Sequence, residues 1–302
     1  MTGLLIGIDL GGTKMHVGAV RADATAQRLS LEAERVVPTP SGGGADLLDA
    51  LVTTVSALRD EAGVGPVVAI GLGGAGVPQA DGGFSDAPNL GDVEFDLVAA
   101  LGAHFTCPVT LDNDANVAAI GELVAAATTD SFAYVAVGTG IGMGLVLGGE
   151  LVRGARGAAG EIGYLPLGAD PLDPAHHRRG ALEEAVAGDV LAARDSGARN
   201  VREVFDRAAA GQPDAVAAVD AQARWIAYAL ASVIAVVDPG AFVLGGGIGS
   251  REELRAPIQQ WLARLGHPDV PLRISTLGSA GAVLGAIELA RRSMSSLTGA
   301  SA

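Results

Sequence analysis

The segment Asp9-Leu10-Gly11-Gly12-Thr13-Lys14 sets a glycine pair between an acid and a lysine. It joins two predicted strands, the apolar run Leu4–Leu10 and the partly alternating Met15–Val20, and a third strand is read at Leu29–Val37. The pattern then restarts. Phe132–Val137 is strand-like and runs into Gly138-Thr139-Gly140, followed by strand signals at Gly142–Leu147 and Glu150–Arg153. Strand, glycine-threonine turn, strand, strand thus occurs twice, about 127 residues apart, an internal repeat. Strands mixed with helices argue for an α/β fold, and a duplicated core argues for two lobes with a cleft between them.

Other elements fill in around this repeat. Leu48, Leu51, Val52, Val55 and Leu58 follow helical spacing within Asp46–Ala62, and short strands are read at Val67–Leu72, Pro108–Leu111 and Phe242–Leu244. Helices are read at Leu182–Ala193, Asn200–Ala210, Val219–Val237, Glu252–Leu265 and Ala280–Arg292.

The turns carry the chemistry. Glycine lets backbone N–H groups approach an anion, and successive N–H groups form an anion-binding nest. Asp9, at a strand end, is placed to hold Mg²⁺ through water, and Lys14 to offset phosphate charge. Lys14 is the one lysine among 20 basic residues. The chance that a sole lysine falls in a given six-residue segment is about 2%. An ordinary hairpin turn is the plainer alternative. Gly140-Ile141-Gly142-Met143-Gly144 looks like a dinucleotide fingerprint, but a strand follows where that fingerprint needs a helix. Gly245-Gly246-Gly247-Ile248-Gly249 offers flat backbone for a purine face, or a tight strand-to-helix turn.

In Asp112-Asn113-Asp114-Ala115-Asn116, four of five residues are Asp or Asn. A helix N-cap needs one such residue. The surplus fits a general base for a hydroxyl group. Glu161 and Glu183 lie in glycine-rich surroundings, as hydroxyl-gripping acids or as solvated surface acids.

Composition sets limits. The chain has 302 residues, 49% hydrophobic and 18% charged, enough for a sizeable core and too apolar for disorder. A net charge of −14 argues against nucleic acid as a partner. The single cysteine, Cys107, forms no internal disulfide, and cytoplasmic residence is expected. The N-terminus lacks the basic region of a signal peptide. The longest apolar stretch, Trp225–Val237, is shorter than the roughly 20 residues of a membrane span, so a buried helix is expected and no membrane partner.

Taken in order, Asp9–Lys14, Asn113–Asn116, Gly138–Leu145, Gly160–Gly163 and Leu244–Gly249 resemble the ROK family of sugar kinases, glucokinase-like members of the hexokinase–actin–Hsp70 ATPase superfamily. The resemblance runs from about Ile6 to about Ala290. It implies a two-lobed actin-like ATPase (ribonuclease H-like) fold of duplicated mixed β-sheets with flanking helices and an interlobe cleft. Residues 1–112 with about 284–297 would form the small lobe and residues 113–283 the large one. ROK repressors carry a helix-turn-helix before the kinase core, and with Asp9 so near the start none is expected here.

The same resemblance implies site roles. Gly11, Gly12, Thr13 and Lys14 would form one phosphate loop, Gly138, Thr139 and Gly140 the other, and Gly245, Gly246 and Gly247 part of the adenosine site. ATP and Mg²⁺ are the implied cofactors. Asp114 would be the catalytic base that lets a primary hydroxyl of a hexose or hexose-like substrate attack the γ-phosphorus. Asn113, Glu161, Glu183, Gly74, Asn89 and Tyr164 would line the sugar. A dimer or higher homo-oligomer is implied. The alternatives are a kinase for a cyclitol or amino sugar and a non-catalytic sugar-binding regulator.

One departure stands out. The family usually reads Gly-Glu-Ile-Gly-His, its histidine contacting sugar and zinc, where this chain has Gly160-Glu161-Ile162-Gly163-Tyr164. The family's three zinc-box cysteines fall on Pro174, His176 and Ala181, so no zinc site is expected. Residues 166–180 are then expected to form a mobile loop that orders when substrate closes the cleft, with Tyr164 either turning its hydroxyl toward substrate or packing as core.

Overall fold

β1 (Leu4–Leu10) is apolar at nearly every position because it is covered on both faces. The computed structural model describes residues 3–23, 31–42, 44–78, 84–85, 96–125 and 129–299. Two compact units emerge: Met1–Ala127 with Gly154–Ala158 and Ser279–Ala302, and Thr128–Arg153 with Ala159–Gly278.

In the first unit β1 is central. β2 (Lys14–Arg21) lies antiparallel to β1, and β3 (Ala33–Pro38) antiparallel to β2. On the other side β4 (Val67–Gly74) and β7 (Val109–Asn113) run parallel to β1. A short hairpin, β5 (Val77–Pro78) with β6 (Phe84–Ser85), follows β4. One face of the sheet, with Ile6, Ile8, Val17 and Leu72, packs on α1 (Gly44–Ala62) through Leu47, Leu51, Val55 and Leu58, and on α2 (Leu97–Phe105) through Leu101. The opposite face, with Leu5, Val20 and Ala69, packs on Val283, Ile287 and Ala290 of α10 (Ala280–Gly299). This alternation is the period-2 signature of a strand buried on both sides.

α3 (Asp114–Val124) lies against α10 at backbone distance. A Cβ on Gly285 would stand 1.7 Å from the Val117 carbonyl oxygen, and one on Gly121 would stand 2.1 Å from that of Gly281. These contacts put α3 in the first unit, where the sequence places residues from 113 onward in the other lobe. The chain also rejoins this unit at Ser279, ahead of the expected residue 284, because α10 starts at Ala280.

The second unit repeats the sheet. β8 (Phe132–Val137), β9 (Ile141–Leu147) and β10 (Glu150–Val152) are antiparallel neighbours, while β11 (Phe242–Gly245) and β12 (Leu272–Ile274) continue parallel to β8. The order β10-β9-β8-β11-β12 matches β3-β2-β1-β4-β7 strand for strand. Around it stand α4 (Glu183–Val186), α5 (Gly188–Ala193), α6 (Val201–Ala209), α7 (Pro213–Val237), α8 (Gly246–Gly249) and α9 (Glu252–Arg264). Among the described residues α7 is the one helix long and apolar enough to cross a membrane. Its stripe Ala218, Ile226, Leu230 and Val233 is buried in this unit's core.

The elements differ from the sequence reading in places. The single helix expected over 182–193 breaks at Ala187, whose ψ of 152° is extended. α7 starts at Pro213, since proline is tolerated in a helix's first turn. β3 starts at Ala33 rather than Leu29, which lies outside the described residues.

Candidate functional site

In the first unit the carboxyl ends of three parallel strands line up. Asp9 sits beside Gly73, which sits beside Asp112; one step on, Leu10, Gly74 and Asn113 align. Ligands of open α/β sheets bind beyond such strand ends. The Gly11–Lys14 turn starts here. The Gly11 N–H donates to the Lys14 carbonyl at 3.1 Å. Thr39 braces the turn, its hydroxyl donating to the Gly11 carbonyl at 2.6 Å and its N–H to that of Thr13 at 3.1 Å. Gly12, Thr13 and Lys14 remain exposed.

Asp9 is half-buried, and burial pushes its carboxyl above the usual range while the charges of His16 and Lys14 pull it down. His16 pairs with Asp9 in register. Its Nε2 lies 2.8 Å from Glu34 Oε2 and its Nδ1 lies 3.2 Å from the Ser279 carbonyl.

The segment from Asp112 to Asn116 divides its labour. Asp112 is buried and accepts from the Asn113 N–H and from Asn116 Nδ2, both at 2.8 Å. Asn113 is the N-cap of α3: its Oδ1 accepts from the N–H groups of Ala115 and Asn116 at 2.9 and 3.3 Å, and its Nδ2 donates to the Gly76 carbonyl at 3.1 Å. An amide has two Nδ2–H donors, so one is left beyond these bonds among the described residues. Asp114 is the exposed acid of the set, at the first position of α3, with Oδ1 accepting from Ala115 N–H at 2.7 Å. Asn89 lies outside the described residues.

In the second unit the two other glycine segments meet. The Gly138 N–H donates to the Gly140 carbonyl at 2.9 Å, closing that turn. Gly246 has φ +77°, and a Cβ there would stand 2.5 Å from the Val137 carbonyl oxygen, so only glycine fits. A Cβ on Gly138 would lie 3.7 Å from the Gly247 nitrogen, while Gly247 itself is exposed with open space around it. Bare backbone on two adjacent turns is a surface that a flat or anionic ligand can approach.

Glu161, half-buried, precedes a one-turn 3-10 helix, Ile162–Tyr164. Tyr164 is 50% exposed, so it is not a core residue, and its hydroxyl donates to the Arg178 carbonyl at 3.2 Å. Glu183 opens α4 with Oε2 accepting from Ile141 N–H at 3.0 Å; burial pushes its carboxyl up, against that bond and the charge of Arg179. Residues 166–180 carry a dense set of bonds: His176 Nδ1 to the Asp170 carbonyl at 2.8 Å, His177 Nε2 to that of Pro171 at 3.2 Å, and the Gly180 N–H to that of His176 at 2.8 Å. Sequence reasoning missed Thr39, His16 and Arg179, whose roles come from partners distant in sequence.

The ROK family profile matches residues 5–293. The chain belongs to the ROK family. It is similar to the ROK hexokinase of Thermus thermophilus, with 36% identity, 97% of this chain and 99% of that one covered, and a TM-score of 0.83. It is also similar to a ROK family glucokinase of Streptomyces griseus solved with glucose and AMPPNP: 28% identity, 96% and 100% covered, TM-score 0.78. The N-acetylmannosamine kinase of Citrobacter koseri is 33% identical over 267 residues, 86% of this chain and 88% of that relative. This ROK protein has the actin-like ATPase fold and is an ATP-dependent sugar kinase.

Proposed function

We propose that this enzyme transfers the γ-phosphoryl group of ATP to a primary hydroxyl of a hexose or hexose-like sugar, with Asp114 as general base. One observation carries the assignment. Within the segment from Asp112 to Asn116, buried Asp112 and the capping Asn113 are committed to internal bonds, and Asp114 is the acid left exposed at a helix N-terminus. Asp114 accepts the hydroxyl proton as the sugar oxygen attacks phosphorus in line and ADP leaves. A carboxylate is a weak base, so positioning and charge neutralisation supply most of the rate.

The remaining roles follow the same reading. The second Nδ2–H of Asn113 donates to a sugar hydroxyl; Gly74, Asn89, Glu161, Tyr164 and Glu183 line the sugar. The backbone of Gly11, Gly12, Thr13, Gly138, Thr139 and Gly140 cradles phosphate, Gly245–Gly247 flanks the adenosine, and Lys14 adds charge. Asp9 suits Mg²⁺ through water, since it is an oxygen donor set among exposed turn residues. Bound there, the cation would neutralise phosphate charge. Zinc has no part in this scheme, the working form is a dimer or larger, and the enzyme acts in the cytoplasm.

A kinase for an amino sugar or cyclitol is the second reading, favoured by Tyr164 in the position of the family histidine. A coupled ADP-release assay over hexoses, amino sugars and cyclitols tests both. Turnover with hexoses alone supports the first, turnover with amino sugars or cyclitols alone the second, and no turnover with any acceptor rejects both.

A further inference from the structure

Arg179 gathers three acids of the second unit, Glu183, Glu184 and Asp189, beside one glycine turn. Its Nη1 and Nη2 donate to Asp189 Oδ2 and Oδ1 at 3.1 and 2.9 Å. Its Nε lies 3.5 Å from Glu183 Oε1, and its Nη1 lies 3.8 Å from Glu184 Oε2. The second oxygen of Glu183, Oε2, accepts from the N–H of Ile141, the first residue after Gly138-Thr139-Gly140. A Cβ on Gly140 would stand 2.2 Å from that same oxygen. Asp189 follows Gly188, where a Cβ would lie 2.9 Å from the Gly138 carbonyl oxygen. A ring of contacts therefore runs from Gly138 through Gly188, Asp189, Arg179 and Glu183 to Ile141 and back to the turn.

A partly buried carboxylate without partners would rotate toward water or take up a proton. The planar guanidinium fork, fixed on Asp189, holds a defined direction that a flexible ammonium would not. We propose that Arg179, anchored by Asp189, is a positioning residue that fixes the Glu183 carboxylate and, through it, the Gly138–Gly140 turn, so that acceptor and nucleotide favour each other's binding. This inference rests on reading Glu183 as an acceptor contact and the turn as a nucleotide contact.

A double-mutant cycle tests it: wild type, Arg179→Ala, Glu183→Gln and the double variant, with ATP and the acceptor that the wild type turns over best. AMPPNP affinity is measured calorimetrically with and without that acceptor. Arg179→Ala should raise KM for both substrates about tenfold, the scale of a charge-assisted hydrogen bond, and abolish the effect of acceptor on AMPPNP affinity. In the Glu183→Gln background it should add less than about twofold, because the two residues act as one unit. Arg179→Lys should fall between. Multiplicative effects, or a change in Tm with kinetics and coupling unaltered, would overturn the proposal. Should Arg179→Ala fail to fold, Asp189→Asn takes its place, with KM raised for both substrates as the supporting result and unchanged KM as the opposing one. A wild type that turns over no acceptor defeats the kinase reading and this inference with it. An active wild type indifferent to Arg179→Ala defeats this inference alone.

Discussion

Gly285 of α10 and Val117 of α3 meet with no room for a side chain: a Cβ on Gly285 would stand 1.7 Å from the Val117 carbonyl oxygen. Val117 is one turn along from Asp114, so this contact fixes the helix that presents the proposed base. Gly285→Ala should lower stability, with overpacking costing about 1–3 kcal/mol. Because the strain is relieved by moving α3, kcat should fall as well. Thermal unfolding and steady-state kinetics check this; a variant with unchanged Tm and kcat would mean that the helices separate without cost.

Lys14→Ala should raise KM for ATP more than KM for the acceptor. The lysine is exposed where the turn after Asp9 enters the next strand, and in the proposed role its charge would face a phosphate rather than a neutral hydroxyl. Steady-state kinetics with each substrate varied in turn checks this, and equal changes in the two constants would contradict the placement.

Glu183 and Asp195 should separate two acid limbs. Burial raises the Glu183 carboxyl above 4.5, against Ile141 N–H and Arg179, so it takes up a proton before an ordinary glutamate does. Protonation there discards the attraction of Arg179, and acceptor affinity should decline as pH falls through that raised value. For stability the sign is reversed: a raised folded pKa favours the folded state below the unfolded value, and that contribution is lost as pH rises through the folded one. Asp195 is fully shielded, and Arg207, 2.7 Å away, holds its carboxyl below 3.8. Its stabilisation is present above the unfolded value and lost as pH falls through the folded one. Glu183→Gln should therefore flatten the acid limb of kcat/KM and remove the stability that its protonation adds in acid, whereas Asp195→Asn should leave that limb in place and weaken the loss of stability as pH falls. Identical effects on both curves would refute the separation.

The duplicated sheets were legible because each repeat announces itself with an apolar strand and a glycine-threonine turn. α2 and β12 were not. α2 is nine residues long, fixed by Asp96 accepting from the Ala99 N–H, and β12 is three residues, too short for a period to register. The break at Ala187 and the assignment of α3 to the first unit come from backbone contacts of Gly188 and Gly285, and no hydrophobic pattern encodes those. At the site, the acid-amide cluster from Asp112 to Asn116 stood out in sequence, but which member caps, which braces and which is exposed is a property of the turn between β7 and α3. Nothing in His176-His177-Arg178-Arg179 singles out Arg179, because its partner Asp189 is ten positions away and the pairing is made by the fold.

Elemental analysis of the dialysed protein should find no stoichiometric zinc, and chelators that spare Mg²⁺ should leave Tm unchanged. His176 and His177 bond the carbonyls of Asp170 and Pro171, and the positions of the family cysteines offer no thiolate. About one zinc per chain would contradict this expectation.

The role of Asp114 as the base of a sugar kinase is decided by kcat of Asp114→Asn in the coupled assay, with acceptor affinity measured alongside by calorimetry. Asn keeps the shape and can still accept from the Ala115 N–H, so fold and acceptor binding should persist. Loss of a positioned base should lower kcat by about 10²–10⁴-fold. A folded Asp114→Asn enzyme that binds acceptor normally and turns over near the wild-type rate would contradict the account.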